Sequence, residues 1–539
     1  MRIYKALVAS LLLSLVYFSA LANVCIQPEL KDSDHYTFKN KIQIASVDGV
    51  KISANLMTPK GFSPKSGWPT IIFANSWVLD ENEYLVQAAK FAREGFQVLS
   101  YSMRGWGCSE GELEIFGPRD IEDVRSVVDW LRDNTNVDIK NIGMSGISYG
   151  GGMSLMAIAH DPRIKTVVAM SALGSLPMAL YANETPRKFW IDALVGSADI
   201  LATPSDEIEV MVTNLFNHRN IEEILEWAQI RSPVHYVDKI NERNAPIYIA
   251  NNFGDNLFSS NNVWSLFNKL TSPKRLELNQ GAHATGELMG LFGADNYTWS
   301  NTLSWFNYYL RGVDTGDGIS SKSTVTMLTD LDHYRESYTS EEIENLERKK
   351  FFLRPRKFLR PGKLLNKPYQ NENVQNTISS RFDSNATTGI PLISALLDGN
   401  FSVPVISMFP DSIWTNGIAF HSQTFDKKLS IRGIPNLAIN FKASSEKVQL
   451  ISYLYHTNRF GYSRLITHGS ITLHDAKKGV MNSMSFDLSA AAYDVPAGDR
   501  ISIVIDTSDV LYLSPTDKTY KVKFLFDKEF QSVLELPIK

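Results

Sequence analysis

Cysteine is nearly absent: the 539 residues hold two, Cys25 and Cys108. No Cys/His cluster has zinc spacing, and two thiols are too few for a disulfide-built scaffold. An oxidising compartment would permit a Cys25–Cys108 bridge, but sequence does not bring two thiols together, and separate thiols are the preferred reading. A one-sided charge is lacking too. With 54 Lys and Arg against 58 Asp and Glu the net charge is −4, and without a basic block nothing draws nucleic acid or anionic lipid. No glycine-rich loop ends in Gly-Lys-Ser/Thr, so no phosphate cradle is indicated. Past the N-terminus no apolar run approaches the roughly 20 residues a bilayer span needs. The sequence therefore indicates no metal, no cofactor, no nucleic-acid partner and no stable membrane insertion. It is silent on oligomeric state.

What is present is ordinary globular material, 44% hydrophobic and 21% charged, in a chain long enough for two to four domains. Residues 1–22 read as an export signal: Arg2 and Lys5, an apolar run from Ala6 to Phe18, then Ala20-Leu21-Ala22 as the peptidase site, with cleavage before Asn23. A retained anchor is the competing reading, and the short run argues against it. Val24 before Cys25 argues against lipidation. The expected location is periplasmic or extracellular.

The rest divides by periodicity. Lys41 to Met57 alternate around Asp48-Gly49 as a β-hairpin. Short apolar runs at Thr70–Ala74, Phe96–Tyr101, Asn141–Met144, Thr166–Met170, Pro246–Ala250 and Arg275–Leu278 read as buried strands. Helical stretches over Asn82–Glu94, Arg119–Asn134, the segment ending near His160, and Trp299–Leu310 alternate with them. This predicts a doubly wound α/β domain with a mostly parallel sheet over residues 23–175 and 229–317. Residues 176–228 are helical without a convincing strand and read as an insertion over the sheet. Residues 318–539 carry short alternating segments such as Leu437–Phe441 and Arg500–Ile505, predicting an antiparallel sandwich or jelly roll.

The chemical signal is Gly146-Ile147-Ser148-Tyr149-Gly150. A buried strand runs into it and a helix leaves it, as required where a serine is lifted to the carboxyl edge of a parallel sheet by a turn too tight for bulky neighbours. Ser145 fails this test because Ile147 stands where its second glycine should be. A serine hydroxyl needs a base, and the base needs an acid to orient it. In the order Ser, acid, His, each after a later strand, Asp255 and His283 fit, with Gly254 and Gly281 suited to tight turns. His235 is the nearest rival but no strand delivers it, and Asp238 lies close to Asp255 in sequence. The oxyanion of an acyl-transfer intermediate would be met by the Tyr149 backbone N–H and by a donor from Asn75-Ser76-Trp77, with Ser76 and Trp77 the candidates.

These stretches, with three more, resemble the X-prolyl dipeptidyl-peptidase and cocaine esterase family of serine hydrolases. Gly146 to Gly151 is similar to that family's Gly-x-Ser-Tyr-x-Gly turn, Arg104 to Gly111 to its Arg-Gly-x-Gly-x-Ser-x-Gly loop, Trp305 to Gly312 to its tryptophan helix, and Leu429 to Pro435 to the opening of its C-terminal domain. The resemblance implies an α/β-hydrolase core, a helical cap, a C-terminal jelly roll, and triad roles for Ser148, Asp255 and His283. It also implies hydrolysis of an amide or ester, with X-prolyl dipeptidyl-peptidase action first and carboxylesterase or amino-acid ester hydrolase action second. A silent carbohydrate- or surface-binding protein on the same scaffold is the alternative from another class. One departure stands out: where the family places a tyrosine donor in Asn-Pro-Tyr, this chain has Asn75-Ser76-Trp77. Dipeptide release would also need a carboxylate for the substrate's α-ammonium, and Glu184, Asp192, Asp199 and Glu287 are candidates.

Overall fold

A computed structural model describes residues 25, 27–28, 30–316, 324–357, 360–371, 373–381, 384, 386–390, 394, 397, 404–408 and 415–539. The export signal at 1–22 and its cleavage site before Asn23 lie outside the described residues.

The first sheet has ten strands: β1 (Tyr36–Ala45), β2 (Lys51–Pro59), β3 (Trp68–Ala74), β4 (Gln97–Tyr101), β5 (Val137–Ile147), β6 (Ile164–Met170), β7 (Ile247–Asn252), β8 (Lys274–Asn279), β9 (Thr324–Leu328) and β10 (Arg335–Thr339), in the order β1-β2-β4-β3-β5-β6-β7-β8-β9-β10. Strands β4 through β9 pair in parallel, and the margins are antiparallel. The central strands are near-continuous apolar runs because helices cover both faces. One face is packed by α1 (Leu85–Arg93) and α9 (Tyr297–Arg311), whose Phe91, Trp299, Trp305 and Phe306 meet Phe73 and Phe96 in one buried cluster. The other face is packed by α2 (Pro118–Asn134), α3 (Tyr149–His160) and α8 (Ser260–Lys269), through Val124, Val127, Leu131, Met153, Val263 and Leu266.

Between β6 and β7 lie the helices of the cap: α4 (Leu176–Leu180), α5 (Lys188–Leu201), α6 (Asp206–Phe216) and α7 (Ile221–Gln229). They match the predicted helical insertion. Beyond the expected boundary at residue 318 the first sheet gains two further strands. Strand β9 pairs in parallel with β8, setting Val325 against Leu276 and Met327 against Leu278, and β10 closes the edge. These two edge strands are short and alternating, so in sequence they resemble the domain that follows.

A second, fourteen-stranded sheet, almost wholly antiparallel, takes up the chain from Glu347 to Ile538 around its own core of Phe441, Leu454, Ile503, Phe524 and Leu534. It packs against the first domain directly: Tyr453, Tyr455, Ala490 and Leu511 belong to the main core cluster, and Asn261 on α8 bonds both Leu488 O (2.8 Å) and Ala490 N (2.7 Å).

Cys25 and Cys108 form a disulfide with Cα atoms 5.0 Å apart, so the preference for separate thiols was wrong. The reason is tertiary: the bridge fastens the start of the described chain to the loop after β4. That loop is itself held by Arg104, fully buried and forked onto Asp123 (2.7 and 2.7 Å), with a third bond to Asp48 (3.0 Å). Arg104 to Gly111 is thus a tight connection. No helix among the described residues is long and apolar enough to cross a membrane.

Candidate active site

Strand β5 ends at Ile147 and α3 begins at Tyr149, leaving Ser148 alone in the turn at φ 55°, ψ −114°. A side chain tolerates that backbone poorly, and such outliers persist only where the surroundings enforce them. Here the crowding is explicit. A Cβ on Gly146 would stand 2.5 Å from the Gly150 carbonyl carbon, and one on Gly150 would stand 2.0 Å from Ala74 O. The Ser148 N–H is fixed by Met170 O at 2.8 Å. Ser148 lines the cavity and is only 8% exposed.

Strands β7 and β8 deliver the partners. His283 Nε2 lies 2.7 Å from Ser148 Oγ, and His283 Nδ1 lies 2.7 Å from Asp255 Oδ2. A carboxylate only accepts, so Nδ1 carries the proton and Nε2 is left to accept from the serine. Asp255 is buried, and its other oxygen accepts from the N–H groups of Leu257 (3.0 Å) and Phe258 (2.8 Å), which lock its orientation. Burial opposes a charge on His283. The Asp255 carboxylate, through its charge and hydrogen bond and with Glu287 behind, outweighs that and raises the ring above its ordinary value. The rivals are elsewhere: His235 and Asp238 are both exposed, with His235 edge-on to Tyr236.

The oxyanion candidates separate. The Tyr149 N–H opens α3 and has no acceptor within the helix. Ser76 is ruled out, because its N–H and its hydroxyl both meet the Glu83 carboxylate at 2.6 Å. The Trp77 indole is ruled out as well. Its Nε1–H donates to Leu194 O (3.2 Å) and Ser197 Oγ (3.1 Å) on α5, while the ring stands edge-on to Tyr149 at 5.2 Å. What Trp77 retains is its main-chain N–H, which has no acceptor among the described residues.

Two carboxyls that sequence reasoning did not place in these roles support the site from below. Glu83 is pushed up to about 7 by burial, against the Ser76 hydrogen bonds that lower it, and holds the loop after β3. Glu287 is fully buried and is likewise raised by burial to about 7. Its Oε1 accepts from Ser171 Oγ (3.0 Å), which in turn accepts from Ala284 N (3.1 Å) beside His283 and from Asn252 Nδ2 (3.0 Å). Glu287 therefore braces the histidine loop and cannot receive a substrate ammonium. Of the other candidates, Asp192 is paired with Lys188 at the surface, Glu184 lines a separate groove against the second domain, and Asp199 is exposed on the wall of the main cavity.

That cavity, of about 510 Å³, opens from Ser148 into the cap and is walled by Trp77, Tyr149, Leu176, Leu215, Ile224 and Phe258 among others.

A strained serine between a parallel strand and a helix, with acid and histidine following on later strands in that order, defines the class: a serine hydrolase of the α/β-hydrolase fold. Residues 48–285 match the model of the X-Pro dipeptidyl-peptidase (S15) family, and residues 323–532 that of the X-Pro dipeptidyl-peptidase C-terminal non-catalytic domain. In both its catalytic and its C-terminal part the chain is similar to X-Pro dipeptidyl-peptidases. An uncharacterized 31.7 kDa protein of Escherichia coli is 31% identical over 133 residues, 24% of this chain and 46% of its own length, so the match spans about half of that relative. Two solved structures share the fold over nearly the whole chain. An alpha-amino acid ester hydrolase superposes with TM-score 0.71 at 15% identity, covering 95% of this chain and 98% of its own. An aminopeptidase from a marine-sediment Thaumarchaeota archaeon gives 0.73 at 14%, with the same coverage.

Proposed function

We propose that the protein hydrolyses an ester or amide through a covalent acyl-Ser148 intermediate. The observation that carries this reading is the unbroken chain from Ser148 Oγ through His283 to Asp255, with 2.7 Å at each link. As Ser148 Oγ attacks the carbonyl carbon, His283 Nε2 takes its proton, and Asp255 stabilises the imidazolium. The charge that develops on the carbonyl oxygen meets the Tyr149 N–H and, as the second donor, the Trp77 main-chain N–H. Collapse expels the alcohol or amine with the proton from His283. Water, deprotonated by the same ring, then releases the acid.

Fluorophosphonate should label the wild type and spare Ser148→Ala, and that variant should lose at least about 10⁴ in turnover. Equal labelling of both would refute the assignment. Within the class, X-prolyl dipeptide release is supported by the family match. The carboxylesterase reading is favoured by a cavity whose walls beside Ser148 are aromatic and apolar. A panel of Xaa-Pro amides against acyl esters separates the two. We also place the protein outside the cytoplasm, periplasmic or extracellular, and the Cys25–Cys108 bridge supports this reading.

A further inference from the structure

The cap is built around an opening. Tyr181, Ile191, Leu215 and Ile224 form a small apolar cluster separate from the main core, and all four face the cavity that leads from Ser148. Helices of this length would ordinarily close on each other through such residues. Here about 510 Å³ is left between them and the sheet edge, a volume in the range of sites that bury drug-sized ligands. At roughly 30 Å³ for a group of water size, this holds about 17 such groups.

The charges on the walls narrow the occupant. Among the described residues no lysine or arginine lines the cavity, so an acyl group with its own carboxylate would find no partner. The charged residues that do line it, Asp199, Asp206 and Glu209, are all exposed to solvent. Next to the nucleophile the wall is instead Trp77, in ring contact with Tyr149, and Phe258, in ring contact with His283. Beside the scissile bond these rings offer an ammonium group no carboxylate.

We propose that this cavity is an acyl site for a neutral, extended apolar acyl group, so that the substrates are esters of medium- to long-chain or comparably bulky apolar acids. The proposal rests on the acyl-Ser148 reading and names its substrate class.

The test measures kcat/KM of the full chain on 4-nitrophenyl acetate, butyrate, octanoate and dodecanoate, normalised to active sites titrated with fluorophosphonate. A buried methylene is worth about fourfold, so octanoate should exceed acetate by at least about 100-fold even if only part of the chain is buried. Leu215→Trp, which fills the cavity from α6, should lower the octanoate-to-acetate ratio at least about tenfold. If that variant does not fold, Val212→Trp on the partly exposed wall of the same helix replaces it. A flat or falling profile in the wild type overturns the proposal, as does an unchanged ratio in a folded variant. Each of these still shows a titratable serine. Absence of fluorophosphonate labelling instead overturns the hydrolase reading and the proposal with it.

Discussion

An alanine at position 150 would place its Cβ 2.0 Å from Ala74 O and 2.9 Å from Ala74 C, with Asn75 O at 3.1 Å. All three are backbone atoms at the end of β3, so no side chain can rotate out of the way. Restoring ordinary contact at 3.4 Å takes 1.4 Å of movement, and it falls on the segment that carries Trp77 or on the one that carries Tyr149. Those two residues supply the main-chain donors for the oxyanion in the proposed mechanism. A misplacement of about 1 Å at reacting atoms costs roughly 10²-fold, while overpacking a buried position costs about 1–3 kcal/mol. Gly150→Ala should therefore lose about 10² in kcat/KM on any ester the wild type accepts and unfold at lower urea. Gly196→Ala is the control. Its Cβ would meet nothing within 4 Å on α5, so it should retain activity and gain about 0.5–1 kcal/mol of stability. A folded Gly150→Ala enzyme with wild-type kcat/KM would refute the claim that this close approach sets the donor geometry.

Other outcomes follow from the buried acids and the bridge. Asp255→Asn should lower turnover by about 10⁴-fold, and since His283 must be neutral to act as base, the wild-type kcat/KM should fall away below a pH that lies above the ordinary histidine value. Glu287 keeps its proton to about 7 in the native state but loses it at the ordinary carboxyl value when unfolded. Between those limits the unfolded chain sheds a proton that the native one keeps, so stability declines as pH rises. Glu287→Gln should remove that part of the decline, read as a smaller difference between urea midpoints at pH 5 and pH 8, and an unchanged difference would count against it. The Cys25–Cys108 bridge closes a sequence separation of 83 residues, worth up to about 4.5 kcal/mol in the chain-entropy account. Cys108→Ser should therefore unfold at markedly lower urea, and an unaltered midpoint would show that the unfolded chain is not constrained by it.

Much of the catalytic sheet was legible because its strands are buried on both faces and so write themselves as apolar runs, as in Thr70 to Ala74. Ser148, Asp255 and His283 could be placed together because each follows such a run. The supporting acids could not. Glu83 drew no reading and Glu287 was a candidate for a substrate ammonium, since nothing local marks a charge for burial. The fate of the Trp77 indole was hidden for the same reason, its acceptors lying 117 and 120 residues away on α5. Helix α8 went unread because it opens on Ser260-Asn261-Asn262, polar residues of which Asn261 bonds the second domain and Asn262 bonds Gly174 and Ser175.

The fastening of Trp77 to α5 has a mechanical consequence. Its indole is tied to the lid while the same ring stands edge-on to Tyr149, the residue after the nucleophile, so one residue spans the joint between cap and catalytic floor. Any tilt of the lid that widens the mouth of the cavity pulls on that tryptophan. Opening the cap and holding the residue that follows the nucleophile are therefore coupled through one side chain.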